Sequence, residues 1–471
     1  MRTEMRRTLR GNLPPKDEHA AAESPSKRWS FEWIYFTLVV VAWCFTPLLR
    51  RLLDYRQGAF NPVQVTSLIP FLLMVPFVVW CFRPERLARL SPMFRFAAYA
   101  WAIAFVYALG VGAVAGAFSA AAFEFVQYLF PMLAGIWLAG QDIPVAQCLQ
   151  RLVRIVLPCA GVVAAYGLAQ WVQPPPWDVM WVQGSEFVSV GDPSPFVMRV
   201  FSTLNAPEPA ADFFALTIVL VLPLLRLRSL WAWPLVGALG AALLLTMIRE
   251  AWVAVVLGSI VYLAVSPRRL AVLPSLAVLV TLIVFLVSAL PALMGSGTGS
   301  DIISTRISTL TDVDHDGSAL ERQQEIEDSL QAGLENPAGT GLGTVGAASK
   351  LGNYAPSSIG KALDSGYFSR FIEMGWAGLA AYLAVALGVP LAMGYALFRP
   401  GGSATTDVKV AGATAIALCA TLAFSDAAND AHLGFDGFFF WVALGLGSLA
   451  VQTCVEKAPS AVRGRLQRVR S

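Results

Sequence analysis

The sequence is poor in the residues that mark soluble enzymes. Charged side chains make up 14% of its 471 residues, against roughly 25% in soluble domains. Histidine occurs three times, at His19, His315 and His432. No nucleophilic triad is visible. The six cysteines show no CxxC spacing and no Cys/His cluster. A zinc site and a disulfide framework are both disfavoured on that ground. Five cysteines lie in apolar stretches, and Cys148 falls in a short basic loop. The Gly-rich run NPAGTGLGTVG (336–346) lacks the GK[ST] of a P-loop and follows no strand, which argues against a nucleotide site. A tight turn folding its loop back on the rest of the chain is the better reading. Residues 1–29 lack the apolar core of a signal peptide. They read as a disordered cytoplasmic tail ahead of an uncleaved first helix. A net charge of +3 gives no nucleic-acid reading.

What the chain has in excess is apolar length. Hydrophobic residues make up 56%, and mean hydropathy is +0.61. A helix needs roughly 20 apolar residues to cross a bilayer. About twelve such stretches are expected, at 31–49, 62–82, 96–115, 118–140, 153–172, 210–226, 230–248, 251–266, 270–293, 368–398, 408–425 and 435–455. The fold class is therefore all-α, a polytopic transmembrane bundle. The 230–266 stretch reads as a hairpin, because Arg249 and Glu250 sit at its midpoint. A central Arg would cost roughly 2.5–3.5 kcal/mol on insertion scales.

Most of the 34 Lys and Arg residues then fall on the cytoplasmic side, which places both termini there. The plan is a tail (1–29), nine spans (30–293), a long extracytoplasmic loop (294–367), three spans (368–455) and a basic tail (456–471). A second outer loop covers 173–209 and is rich in Pro and aromatics. Long ordered loops are usually functional. Ser318 and Glu321 fit a capping box. An amphipathic helix is expected over 319–335, lying on the bundle with Leu320, Ile326, Leu330 and Leu334 as its apolar stripe.

Several polar residues could carry chemistry. Arg199 and Arg249 both fall at the outer membrane boundary. Two converging guanidiniums would suit a diphosphate, because each is a planar, permanently charged fork of donors. Each could equally snorkel or pair with a neighbour such as Glu208 or Glu250. Arg322 has acids around it and reads first as part of a solvated, salt-bridged face. Asp364 could take a proton from a sugar hydroxyl or cap the following helix. Glu373 is an intramembrane acid with Arg370 at i−3, so a structural pair is plausible. Glu124 shows no visible partner. The run from Asp312 to Gly317 imitates the start of a calcium loop, but Gln323 stands where the closing Glu belongs.

These segments, taken in order, resemble the O-antigen polymerase and ligase superfamily (Wzy- and WaaL-type). The resemblance rests on ENPAGTGLGTVG, on LDSGYFSRFIEMGWAGLAAYL, and on RVFSTLNAPEPAADFF and TMIREAW. It spans roughly 195–385. It implies a GT-C-like, metal-independent glycosyltransferase of the inner membrane, with no cofactor. Its donor would be an oligosaccharide on undecaprenyl diphosphate. A flippase and a chain-length regulator would be its partners besides the lipid bilayer. Arg199 and Arg249 match the arginines that grip the diphosphate. Asp364 would activate or orient the acceptor, and Arg322, Arg370 and Glu373 would be auxiliary substrate contacts. Ligases of this family place a His where Asp364 stands. That departure favours a repeat-unit polymerase for O-antigen, capsule or exopolysaccharide over a ligase acting on lipid A-core. A lipid-oligosaccharide flippase is the reading from another class.

Overall fold

The structure is a computed structural model that describes residues 29–61, 64–185, 188–224, 232–269, 272–273, 317–346, 349, 365–399 and 404–456. The chain divides into two compact units, Met1–Leu38 and Val39–Ser471. Everything below concerns the second unit unless a whole helix is named.

Among the described residues all regular structure is helical. In chain order the helices are α1 (Phe31–Gln57), α2 (Ile69–Cys81), α3 (Pro84–Arg89), α4 (Pro92–Val114) and α5 (Phe118–Ala139). Then come α6 (Val145–Val172), α7 (Pro176–Ser185), α8 (Pro207–Val221), α9 (Ala232–Leu245) and α10 (Arg249–Val265). The last five are α11 (Gly317–Glu335), α12 (Gly366–Leu383), α13 (Val389–Phe398), α14 (Thr406–Ser425) and α15 (Gly434–Glu456). Eight of the described helices are long and apolar enough to cross a membrane, with Val65–Cys81 and Ala232–Leu245 as shorter apolar pieces. The protein is thus an all-α, multi-pass membrane protein. The expected ninth span, 270–293, lies almost wholly outside the described residues.

The 230–266 stretch is two helices, α9 and α10, around a turn at residues 246–248; they touch each other little, α9 packing on α6 and α8 and α10 on α14 and α8. Other bounds differ. The first helix runs on to Gln57 and carries Arg50, Arg51 and Asp54 in its last turns. Cys148 is not in a loop; it is buried in the first turn of α6. The long tenth span is broken by a non-helical Gly375 and a π-helical segment, Ala384–Gly388.

The centre of the bundle is α15 against α5, flanked by α14, which also packs on α10 and α8. Small residues set the closest crossing. A Cβ on Gly135 would lie 2.5 Å from the Trp441 carbonyl oxygen, and one on Gly445 would lie 2.6 Å from that of Gly135. Such close approach lets dispersion contacts stabilise helix pairs where lipid supplies no hydrophobic drive.

Helix α11 packs on α12, but not through its leucine stripe. Ile326, Leu330 and Leu334 are exposed, while Ser329, Ala332 and Gly333 are buried. The small face wins because a Cβ on Gly333 would already meet the Phe371 ring at 2.1 Å. Leucines could not approach so closely.

Candidate functional site

Arg199 and Arg249 come from segments 50 residues apart that the fold lays side by side. The Val200 N–H donates to the Leu245 carbonyl at 3.0 Å, and the Arg199 N–H donates to Val190 at 3.1 Å. Trp171, Val200, Leu245 and Met247 form one apolar cluster. Met198 and Phe201 pack in another with Trp181, Val182 and Val190. The backbone on both sides of Arg199 is therefore pinned, while the arginine itself is half-buried, as is Arg249. Arg249 opens α10, directly after the turn that receives Val200.

This region holds the backbone strain. Among the described residues, three non-glycine residues have left-handed φ: Phe196 (62°), Ser202 (54°) and Met247 (58°). All three flank the two arginines. Each such residue costs roughly 1–3 kcal/mol and persists only where its surroundings over-determine it.

A buried polar network supplies that constraint. Arg51 donates to Asp178 at 2.6 Å and to the Ser202 carbonyl at 2.6 Å, and its guanidinium lies 4.7 Å from the Phe201 ring centroid. Asp178 also accepts from Gln170 at 2.7 Å and Tyr166 at 2.9 Å. Gln170 accepts in turn from the Ser202 N–H at 2.8 Å. Arg51, Gln170, Asp178 and Ser202 are fully buried. None of these residues was singled out from sequence. Arg51 lies just past the expected first span, and Asp178 lies in the Pro- and aromatic-rich stretch 173–209.

The Gly-rich run is a plug rather than a nucleotide loop. The Thr340 and Gly341 N–H groups donate to the Ile372 and Glu373 carbonyls, each at 2.9 Å, and Leu342 N–H donates to Ala108 at 2.9 Å. The plug thereby sits between α4, α5 and α12. Gly341 has φ +99°, and a Cβ there would lie 2.2 Å from the Gly112 nitrogen. The kink at Gly375 (φ +65°) faces the same turn, where a Cβ would meet the Pro337 oxygen at 2.1 Å. Gly343 N–H donates to the Glu373 carboxylate at 2.8 Å.

Glu373 also receives Arg370 at 2.9 Å, the i−3 pair expected from sequence. Arg370 reaches Glu124 at 2.8 Å and Asp430 at 3.2 Å, and stacks 4.5 Å from the Tyr128 ring centroid. Glu124 therefore has a partner, 246 positions away in the chain. One guanidinium serves three carboxylates here, deep in the bundle. Asp364 and the calcium-like run 312–316 lie outside the described residues, as does the side chain of Arg322.

Residues 214–383 match the model of the Wzy_C family, described as O-antigen ligase. No curated protein matches the chain. The Wzy_C segment contains Arg249, the Gly-rich plug, Arg370 and Glu373; Arg199 and Asp178 precede it, and Asp430 follows it. The family joins the chain to glycan transfer of ligase or polymerase type.

The loop between α14 and α15 lies beyond the Wzy_C segment yet completes its polar region. The Gly366 N–H, at the start of α12, donates to the Asp426 carbonyl at 2.9 Å. The Asp426 carboxylate accepts from Tyr382 at 3.0 Å and lies 3.0 Å from His432. Asp212 on α8 accepts from Ser425 at 2.6 Å and Asn429 at 3.2 Å. Beside this loop is a cavity of about 460 Å³, lined by α1, α2 and α5, by Leu204, Asn205 and Pro209, and by Asp430 and Asp436. Sequence reading missed the acidic run SDAANDAHLGFD entirely. Four acidic or imidazole groups within eleven residues between two spans was the available signal.

Proposed function

We propose that this protein is a repeat-unit polymerase acting at the outer face of the inner membrane, both termini being cytoplasmic. It moves a glycan from a polyprenyl diphosphate, normally undecaprenyl, onto the end of an acceptor glycan. The observation that supports this most is the Val200–Leu245 hydrogen bond, which sets the two arginine segments against each other. In this reading Arg199 and Arg249 grip the diphosphate. As the anomeric carbon–oxygen bond breaks, the leaving diphosphate gains negative charge, and fixed donors lower that barrier. The strained, braced backbone around them limits reorganisation during the step. The reaction asks for no metal, since two permanent cations do that work. Asp364 is retained from the motif resemblance as the group that orients the acceptor.

The family description as ligase keeps one second reading open, transfer onto lipid A-core. The Asp at position 364, where ligases carry His, favours the polymerase.

Purified protein in proteoliposomes, given an undecaprenyl-diphosphate-linked repeat unit, should build a ladder of longer glycans. Arg199→Ala and Arg249→Ala should each slow chain growth by roughly 100-fold or more, the scale of losing one such donor, while remaining folded. A normal ladder from both variants would remove the basis of the reading. Long chains appearing only when lipid A-core is supplied would turn it to the ligase.

A further inference from the structure

We propose that the cavity beside the α14–α15 loop seats the acceptor sugar and that Asp430 takes the proton from its attacking hydroxyl. This rests on the glycan-transfer reading above and assigns it a second subsite. About 460 Å³ falls within the roughly 300–1,000 Å³ of ligand sites. Its walls combine aromatic faces (Trp43, Phe71, Phe123 and Phe435) with short polar groups. Three oxygens on that wall are buried without a hydrogen-bond partner among the described residues: Asn205 Oδ1, Asp430 Oδ1 and Asp436 Oδ1. The Trp43 indole N–H is a buried donor in the same condition. Buried acceptors are normally satisfied, so a site with three of them calls for a ligand rich in donors. A sugar has hydroxyls to give and an apolar ring face to stack. The wall also carries Arg50, which is held by the Asn61 carbonyl at 2.8 Å and by Asp54 at 3.9 Å; a phosphate diester has no hydrogen to offer the two carboxylates, so in this reading the donor's diphosphate belongs with Arg199 and Arg249.

Of the two carboxylates on this wall, Asp430 is the one held in place by donors. Its Oδ2 accepts from Tyr128 and from Arg370 at 3.2 Å. Its Oδ1 accepts no hydrogen bond from any described residue. Burial pushes the Asp430 carboxyl up to about 6, with Arg370 opposing and Asp426 adding to the rise. The other groups around it are Glu124 and Tyr128 on α5, Glu373 and Tyr382 on α12, His432 in its own loop and Asp436 on α15. A base near neutrality combines availability with proton affinity. In the step, the acceptor oxygen bonds to the donor's anomeric carbon. The anomeric C–O bond to diphosphate breaks with its electron pair leaving on the diphosphate. The hydroxyl proton passes to Asp430 Oδ1.

The test is transfer by the full-length protein in proteoliposomes, with undecaprenyl-diphosphate-linked repeat unit as donor and the released oligosaccharide chain as acceptor. Wild-type kcat/KM should fall about tenfold per pH unit below an apparent pKa near 6. Asp430→Asn should lower kcat by roughly 100-fold or more and abolish that limb, with undecaprenyl diphosphate binding unchanged. Asn205→Ala should raise KM for the acceptor several-fold and leave KM for the donor alone, a readout that stands even if Asp430→Asn fails to fold. An Asp430→Asn rate within threefold of wild type, or a donor-side effect from Asn205→Ala, overturns this inference and leaves the glycan-transfer reading intact. Wild-type protein that forms no glycosidic bond overturns both.

Discussion

Replacing Asp178 with leucine would strand the Arg51 guanidinium in a fully buried position. In the native protein that cation has Asp178 at 2.6 Å and the Ser202 carbonyl at 2.6 Å, and both charged side chains are fully buried. Removing one partner of a buried ion pair costs roughly 3–5 kcal/mol, because the other charge stays desolvated and unmatched. Gln170 and Tyr166 lose their hydrogen-bond acceptor at the same time. The pair itself contributes far less than this. Burial holds the Asp178 carboxyl above its ordinary range even with Arg51, Gln170 and Tyr166 beside it, so attraction does not make up for desolvation. The double variant Arg51→Met, Asp178→Leu should therefore recover most of the loss and lie within about 1–2 kcal/mol of wild type. Melting and proteolysis of protein in nanodiscs would read all four corners of the cycle. Asp178→Leu within about 1 kcal/mol of wild type, or a double variant as damaged as the summed singles, would refute the argument. Donor binding adds a second readout. Ser202 and Gln170 hold the strained backbone after Arg199, so Asp178→Leu should weaken undecaprenyl diphosphate binding as well as stability.

Two more outcomes follow from the same geometry. Gly341→Ala forces a Cβ to within 2.2 Å of the Gly112 backbone and should prevent the plug from docking. Gly346→Ala has φ +70° but open space around it, so it should cost only the roughly 1–2 kcal/mol of a left-handed alanine; equal melting temperatures for the two would contradict the plug. Arg370→Met should move the acid limb of activity upward, because Arg370 lowers the Asp430 carboxyl's pKa and its removal keeps the proton bound to higher pH. A limb that stays put or moves down in the pH profile would show that Asp430 is not the titrating group.

Hydropathy located the spans because a run of apolar residues needs no knowledge of its neighbours. The break before Arg249 was legible for a related reason, since a charged pair is costly in the middle of an apolar helix. The Gly-rich run could be read as folding back because so many glycines in a row signal close backbone approach, which Gly341 and Gly375 bear out. Partner choice was illegible. Arg370 pairs with Glu124 across 246 positions and Arg51 with Asp178 across 127, and no local pattern encodes either. The α11 stripe misled because amphipathic periodicity rewards large apolar residues. Here contact was decided by the smallest ones, opposite Phe371.

In the proposed reading the arginines take the diphosphate and the acidic loop takes the sugar, with Glu250 next to Arg249 and, like Glu208, near Asp212. Arg199 and Arg249 stand on the α6–α8 connection and the α9–α10 turn, with a hydrogen bond joining the two segments. Asp426, Asp430 and Asp436 stand on and beside the α14–α15 loop, with Asp212 reaching the same loop from α8. Arg370 offsets part of this acidic group but faces three carboxylates alone. In that reading the anionic end of the donor goes to the arginines and the hydroxyls of the acceptor go to the carboxylates of the cavity. That discrimination is what a transferase needs when donor and acceptor carry the same sugars. The diphosphate is the chemical difference between them, and in the proposed reading Arg199 and Arg249 are the groups that recognise it.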